Sequence, residues 1–185
     1  VYGNSQISTA QSKYGNSSMY FDGNGDYLGL SNSSDFATST LDFTFECWYY
    51  PVGRTTLYPR IFQVGTASWS SSDNWALVDR HNADPTKFSW QCVALGGNAI
   101  LLESTTTVTT NTWYHLAVVR SGSTFRLFVN GVQEDTYTNA GAVTSSSSTE
   151  AQVASAAGGD FCNGYIDGLR FTKGVARYTS NFTPP

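Results

Sequence analysis

The amino-acid sequence predicts an all-β protein, a two-sheet antiparallel β-sandwich. Short apolar and aromatic segments alternate with polar residues at a period of two, and turn residues separate them at regular intervals. No stretch of a dozen residues has the apolar spacing and the capping residues of an amphipathic helix. Many short strands with turns between them are typical of a sandwich or a barrel.

The predicted strands begin at Ser18. Residues 18–30 predict two short strands around a turn at residues 23–26, and residues 41–50 predict a central strand, because bulky side chains occupy both of its faces. Asn130 and Gly131 predict a tight hairpin, since this pair accepts the positive φ angles of a type I′ turn. The other predicted strands are residues 60–64, 75–79, 88–94, 112–120, 124–130, 133–137, 152–154 and 164–171.

Composition indicates a single globular domain over residues 1–185. The chain is 13% charged and 15% aromatic, which is too apolar for disorder. Its net charge is −4 without a run of Lys and Arg, so no nucleic-acid partner is expected. The apolar runs are too short to cross a membrane as a helix, so no membrane insertion is expected. Because no initiator methionine precedes Val1, we expect the chain to be a fragment of a longer protein.

The cysteines Cys47, Cys92 and Cys162 lie too far apart in the sequence for a zinc site. Their odd number leaves at least one free thiol, and a single disulfide among them stays open. Three small buried residues is the favoured interpretation, because free cysteine is among the most buried residue types.

Four segments resemble one known family, and they occur in the same order as in that family. They are SMYFDGNGDYLGL (18–30), DFTFECWYYP (42–51), NTWYHLAVVRSGSTFRLFVNGV (111–132) and NGYIDGLRFTKGVARYTSNFTPP (163–185). Together they resemble concanavalin A-like, laminin G-type jelly rolls. The resemblance implies two antiparallel sheets, one flat or convex and one concave. The closing segment and ISTAQSKYG (7–15) are similar to laminin G-like domains of bacteriophage tail and structural proteins, which implies a location on a virion or a cell surface.

The same architecture includes glycosidases, which need two carboxyl groups roughly 5 Å apart in the retaining class. The glucanase branch supplies them from one strand in an ExDxxE pattern, and this sequence has no such pattern. Glu46, Glu103, Glu134 and Glu150 each stand alone. The sequence therefore favours a non-catalytic domain.

A calcium site is the second candidate chemistry. Residues 22–26, DGNGD, imitate the first half of an EF-hand loop, but Tyr27 and Ser33 stand where that loop requires Gly and Glu. Jelly rolls of the resembled superfamily often hold a structural Ca²⁺ near their paired first and last strands, and Asp22 and Asp167 are the motif carboxylates there. The resemblance implies a shared Ca²⁺ site; the alternative is turn chemistry, in which Asp bonds to nearby backbone beside Gly.

Residues 66–84 carry the densest mixture of aromatic, cationic and amide side chains in the chain. Lectin-like sites stack a ring against a pyranose face and surround it with planar polar groups, often on loops of a rigid frame. The predicted glycan-binding residues are Trp69, Trp75, Asp79, Arg80, His81, Asn82 and Asp84. The alternative places Trp75 in the core and leaves Trp69 as a cap on the sandwich.

The other tryptophans and the closing segment are predicted to be structural. Trp48 and Trp113 match motif positions of the resembled family, and Trp90 shares a face with Phe88. Arg170 is predicted to pair with a carboxylate or to cross a sheet edge. The aromatic residues of residues 173–185 are predicted to pack back onto the sandwich.

The sequence therefore predicts a non-catalytic, lectin-like domain that binds glycans of a host surface. Trimeric or higher display on a virion would raise a weak single-site affinity by avidity. A purely structural virion domain for protein–protein packing is the alternative, and an unrecognised glycoside hydrolase is the least favoured one.

Overall fold

Strands dominate the computed structural model, which describes residues 1–31, 33–65, 74–80, 84–96, 100–144, 150–156 and 159–185. In chain order the strands are β1 (Gln6–Ser8), β2 (Ser18–Asp22), β3 (Leu28–Leu30), β4 (Phe43–Arg54), β5 (Arg60–Gly65), β6 (Trp75–Asp79), β7 (Phe88–Cys92), β8 (Ile100–Glu103), β9 (Tyr114–Ser121), β10 (Thr124–Val129), β11 (Val132–Thr138), β12 (Glu150–Val153) and β13 (Cys162–Lys173). A 3-10 turn, Ser34–Phe36, and a short helix α1, Val93–Gly96, complete the described elements. No helix in these described ranges is long and apolar enough to cross a membrane.

Two antiparallel sheets form the sandwich. The first sheet has seven strands in the order β1-β2-β13-β4-β9-β10-β11, and the second has six in the order β3-β12-β5-β6-β7-β8. The all-β sandwich predicted from the sequence is confirmed. The first and last motif strands, β2 and β13, are neighbours in the first sheet.

Alternating side chains of both sheets fill the space between them. On β4 the inward side chains include Phe43, Phe45 and Tyr49, which are fully buried. Phe62 and Trp75 of the second sheet meet them, and the rings of Phe45 and Phe62 stack with centroids 4.6 Å apart. The two-residue period of β4 therefore sorts one set of side chains into the core, as its sequence predicts.

The outer face of the first sheet is partly covered by the end of the chain. We call residues 174–185 the tail. Its residues Tyr178 and Phe182 pack on a second buried cluster made of Ala117, Val119 and Phe128. On β4 the tail reaches Thr44, which donates to the Val175 carbonyl, and Glu46, which accepts from Tyr178. These contacts confirm the predicted packing of the closing segment.

The predicted hairpin at Asn130 and Gly131 joins β10 to β11. Both residues have positive φ angles, 51° and 80°. A Cβ atom on Gly131 would lie 2.0 Å from the carbonyl oxygen of Phe182, so only glycine fits beneath the tail.

Three elements differ from the sequence prediction. The short strands β1 and β8 were not predicted, and α1 replaces the end of the strand predicted over residues 88–94. β1 lies at the edge of the first sheet and β8 at the edge of the second. Strands of three or four residues show too little alternation to be recognised without their partners.

Candidate functional site

Four aromatic side chains form a continuous line across the outer face of the first sheet. Tyr20 of β2 pairs with Tyr165 of β13, and Tyr165 pairs with Tyr50 of β4. Trp113 precedes Tyr114, which pairs with Tyr49, so its side chain continues the line beside Tyr50. We call Tyr20, Tyr165, Tyr50 and Trp113 the aromatic row. Successive ring centroids lie 4.7, 5.8 and 5.3 Å apart.

The aromatic row is partly exposed and uncharged. Each of its four side chains is of intermediate burial, and the tail packs on other positions of this face. The hydroxyl groups of Tyr20, Tyr50 and Tyr165 make no hydrogen bond to the described part of the chain. Burial raises the pKa of Tyr20 above its ordinary value, and the nearby Tyr165 and Asp22 raise it further, so its hydroxyl stays protonated. The row thus presents apolar ring surface together with neutral hydrogen-bonding groups.

A cleft of about 370 Å³ lies beside the aromatic row on the same face. We call it the outer cleft; Tyr14, Glu46, Trp48, His115 and Arg170 are among its lining residues. Its base is set by β4 and β9, where Glu46 and His115 point away from the core.

Glu46 is the electrostatic centre of the outer cleft. Its side chain is only 2% exposed, and it accepts hydrogen bonds from Arg170 Nε at 2.7 Å and Tyr178 Oη at 2.8 Å. His115 Nε2 lies 3.3 Å from it. Burial alone would raise the pKa of Glu46, but the hydrogen bonds from His115, Tyr178 and Arg170 more than offset burial, so its pKa lies below the usual range. The prediction that Arg170 pairs with a carboxylate is confirmed.

The N-terminal segment closes one side of the outer cleft. The carboxylate of Asp167 accepts hydrogen bonds from the backbone N–H groups of Lys13 and Tyr14, both at 2.9 Å. Trp48 donates its indole N–H to the Tyr14 hydroxyl, and Lys13 Nζ lies 3.9 Å from the centre of the Trp48 ring. Tyr14 and Lys13 contact the Trp48 ring, and Arg170 and Tyr178 bind the Glu46 carboxylate. The outer cleft therefore chiefly holds the N-terminal segment and the tail against the first sheet.

The outer face of the second sheet carries a buried polar line. Gln152, Gln63 and Gln91 lie at matching register positions of β12, β5 and β7, with Ala76 of β6 between the last two. Arg60 donates to Gln91 Oε1 at 2.7 Å. Burial lowers the pKa of Arg60 to about 10, which still leaves the guanidinium charged at neutral pH. These side chains are 2–7% exposed, so they offer little open surface.

The predicted glycan-binding residues fall into three groups: buried residues, one residue in a turn, and residues outside the described ranges. Trp75 is 1% exposed in the core, which agrees with the alternative interpretation and leaves its ring no face for a ligand. Asp79 is fully buried, accepts a hydrogen bond from Tyr49 Oη at 2.8 Å and pairs with Arg80 Nη2 at 2.8 Å.

Arg80 also donates to the Gly53 carbonyl, so this pair ties β6 to β4. The backbone of Arg80 has a positive φ angle of 55°. Asp84 accepts from Thr86 N at 2.9 Å in a turn. Trp69, His81 and Asn82 lie outside the described residues, so their glycan contacts stay a prediction.

Asp22 and Asp167 do not share one site. Asp22 pairs with Asn163, four residues before Asp167 on β13, which separates their α-carbons by roughly 13 Å at about 3.3 Å per residue. Asp22 accepts from Asn24 N in a turn beside Gly23, as the turn-chemistry alternative expects. Within the described ranges no group of three or more His, Cys, Asp or Glu side chains is placed to hold a metal ion. These two residues therefore do not fit a shared calcium ion, and calcium binding elsewhere stays a prediction.

Two acidic residues on the outer face of the second sheet are far apart, although burial raises the pKa of Glu103, one of them, and the nearby carboxylates of Asp84 and Asp135 raise it further. In its described part that face carries Glu103 on β8 and Glu150 on β12, four strand spacings from each other, or about 19 Å. A glycosidase needs its two carboxyl groups within roughly 10 Å. This pair does not meet that requirement.

The aromatic row was not recognised from the sequence. Each of its tyrosines occupies an outward position of a strand, which is a detectable signal, whereas the motif around Trp113 predicts only a structural role for that residue. Their alignment depends on β2, β13 and β4 being neighbours, and the sequence does not show which strands pair.

The sequence matches the family model of the concanavalin A-like lectin/glucanases superfamily over residues 22–176. No curated protein matches the chain. Among solved structures, the chain is similar to domain 4 of an extracellular arabinanase from Geobacillus stearothermophilus, in complex with arabinotriose. That likeness has a TM-score of 0.69 and 17% identity, and covers 94% of this chain and 77% of the other.

Two further solved structures share the fold. One is a sialidase carbohydrate-binding module from Ruminococcus gnavus bound to sialyllactose, with a TM-score of 0.60, 12% identity, and coverage of 83% of this chain and 92% of the module. The other is the pair of laminin G domains 4 and 5 of the mouse laminin α1 chain, with a TM-score of 0.57, 14% identity, and coverage of 83% and 40%. At these identities the similarity concerns the fold.

Proposed function

The chain belongs to the concanavalin A-like lectin/glucanases superfamily as a laminin G-like domain, and from this premise we propose that it is a non-catalytic domain that binds glycans. The observation that carries the proposal is the aromatic row. Its four rings follow one another across a partly exposed face, with successive ring planes inclined by 37°, 79° and 55°. Their hydroxyl and indole N–H groups make no hydrogen bond to the described part of the chain.

This chemistry suits a sugar. The CH-rich face of a pyranose packs on an aromatic ring, and the sugar hydroxyl groups need donors and acceptors at the ring edge. Tyrosine and tryptophan offer both, with few rotatable bonds to order on binding. The arabinanase domain and the sialidase module, which were solved with bound sugars, add support because they share the fold.

The site predicted around Trp69, His81 and Asn82 is a second candidate contact area on the same domain. We further propose that the domain acts on a virion or a cell surface, as the similarity of its closing segment to bacteriophage proteins implies. Both statements rest on the sequence.

A glycan array with the isolated domain tests the proposal. We expect binding to a subset of glycans, with and without Ca²⁺, and a loss of most of the signal in the variant Tyr50→Ala. Binding to no glycan under either condition would reject the proposal and favour a purely structural domain. Release of reducing ends from any bound glycan would show that the domain is an enzyme.

A further inference from the structure

We propose that the aromatic row binds an extended, uncharged polysaccharide along its length, rather than a single terminal sugar. The inference rests on the proposed function and specifies its ligand class. It follows from the shape of the row, its charge and its unpaired polar groups.

The row is straight because its members are register partners on neighbouring strands. It crosses β2, β13, β4 and the start of β9, so three strand spacings of about 4.8 Å give it a length of about 14 Å. Beyond Tyr20 it meets Gln6, its partner on the exposed edge strand β1. A line of rings that runs out to a sheet edge contacts successive units of a chain, whereas a pocket encloses one unit.

The charges around the row disfavour acidic polymers. The row itself has no charged side chain, and Asp22 lies close enough to Tyr20 to raise the pKa of its hydroxyl. On the other side Asp167 is two residues from Tyr165 on the same strand face. Lys13, whose Nζ lies 3.9 Å from the centre of the Trp48 ring, adds a positive charge on the Asp167 side. With a net charge of −4 for the whole chain, an anionic polysaccharide or a nucleic acid would therefore meet repulsion chiefly at the Asp22 flank. An uncharged polysaccharide would not meet this repulsion.

The polar groups of the row are available to form hydrogen bonds with a polysaccharide. The three tyrosine hydroxyl groups make no hydrogen bond to the described part of the protein. A ligand that buried the row without satisfying these groups would lose their hydration. A polysaccharide supplies hydroxyl partners at every unit, and an apolar ligand supplies none.

Cross-strand aromatic pairs also stabilise a sheet, so the row has a structural role whatever it binds. A purely structural row would change stability when mutated and would leave ligand binding untouched. The experiment therefore needs a binding readout and a stability readout on the same variants.

Affinity gel electrophoresis provides the binding readout. The probes are hydroxyethyl cellulose and galactomannan as neutral polymers, carboxymethyl cellulose as an acidic polymer, and cellobiose as a short competitor. We expect retardation by at least one neutral polymer, little by the acidic one, and no effective competition by the disaccharide. Tyr50→Ala and Tyr165→Ala should each weaken binding about tenfold, as expected for a central aromatic contact.

Two variants control for folding. Tyr2→Ala removes a ring from the stacked Tyr2–Tyr27 pair, which lies outside the row with centroids 4.1 Å apart, and it should bind as the wild type does. Tyr50→Phe keeps the ring and removes the hydroxyl, so it should stay within about threefold of the wild type. Thermal unfolding of every variant shows whether the loss of binding exceeds the loss of stability.

The outcomes separate the inference from the proposed function. If array glycans bind but only short or acidic ones do, or if the Tyr50 and Tyr165 variants bind like the wild type, the inference is wrong and the function stands. If neither array glycans nor polymers bind, the proposed function fails with it. A concentration-dependent dimer that Tyr50→Ala abolishes would assign the row to a second copy of this chain and overturn the inference.

Discussion

Glu46 illustrates at the residue scale how a buried charge is stabilised on the face of a sheet. The carboxylate lies beneath the tail and is only 2% exposed, which by itself disfavours the charged form. Arg170, Tyr178 and His115 surround it and reverse that effect, so its pKa falls below the usual range. The charge is therefore part of how β4, β9, β13 and the tail are held together.

The variant Glu46→Gln should lower the free energy of unfolding at pH 7 by about 2 kcal/mol, because charged hydrogen bonds are replaced by weaker ones. Urea unfolding of the wild type and the variant measures this change in the free energy of unfolding. Glu150→Gln, at the exposed start of β12, should change stability by less than about 0.5 kcal/mol. Equal effects of the two variants would contradict this account.

The Glu46 effect should also depend on pH. The pKa of Glu46 is lower in the folded protein than the value of about 4.3 expected in the unfolded chain. Its stabilisation is therefore present above about pH 4.3 and lost as the pH falls through the folded pKa. The difference in unfolding free energy between wild type and Glu46→Gln should shrink between pH 5 and about pH 2. A difference that stays constant over this range would contradict the assignment.

The three cysteines are free and buried. Burial raises the pKa of Cys92 to about 12, and it also raises the pKa values of Cys47 and Cys162. Since the thiolate is the reactive form, a disulfide exchange reagent such as DTNB at pH 8 should modify none of them in the folded protein. In denaturing urea without reductant it should titrate all three. A single reactive thiol in urea would instead show a disulfide.

The tail acts at the scale of the element. Its rings Tyr178 and Phe182 stack with centroids 3.5 Å apart, and Phe182 contacts Phe128 at 5.3 Å. These contacts bury Ala117, Val119 and Phe128 on the outer face of the first sheet. The aromatic row lies on another part of the same face and stays partly exposed. The tail thus limits the proposed ligand surface on this face to the aromatic row.

Phe182→Ala should reduce the free energy of unfolding by about 2 kcal/mol, below the full cost of a buried ring because Phe182 is only partly buried. Removal of residues 174–185 should cost more, since it also exposes Phe128 and Glu46. Urea unfolding is again the measurement, with Val175→Ala as the control because Val175 is 48% exposed. Unchanged stability after the deletion would show that the tail only rests on the sheet.

At the scale of the whole molecule, the core lies between the two sheets, and the aromatic row and the Glu46 cluster share the outer face of the first sheet. A single row of four rings is a small contact surface, so we expect weak binding by one domain. The predicted trimeric display would make later contacts intramolecular and would raise the apparent affinity for a polymer.

A fusion of the domain to a trimeric coiled coil should bind a retarding polymer at least about 100-fold more tightly than the monomer. Gel retardation of both forms at matched domain concentration measures the effect. A trimer carrying Tyr50→Ala controls for the coiled coil. Equal retardation of monomer and trimer would mean that the sites cannot engage one chain together.

Asp79 and Arg80 show where prediction from the sequence reached its limit. Their position at the end of a predicted strand, next to polar residues, indicated a binding loop. In the structure they form a buried pair with Tyr49 of the opposite sheet. The sequence specifies the polarity of a residue, but burial depends on the strand that faces it.

The prediction that Asp22 and Asp167 share one calcium ion depends on strand register, which the sequence does not show. The resemblance correctly implied that the first and last motif strands are neighbours, and β2 pairs with β13. It did not supply their register, and a shift of four residues separates Asp22 from Asp167. Register follows from packing and from bulges such as the irregularity between Asp167 and Arg170.

The sequence by itself determined the fold class, most strands, the Asn130–Gly131 hairpin and the packing of the closing segment, because alternation, turn chemistry and motif order are local properties. The tertiary structure alone decided the aromatic row, the Glu46 cluster and the burial of Trp75 and Asp79. Those features join residues from distant parts of the chain. Their positions depend on which strands pair and in which register, and these are settled only when the two sheets pack together.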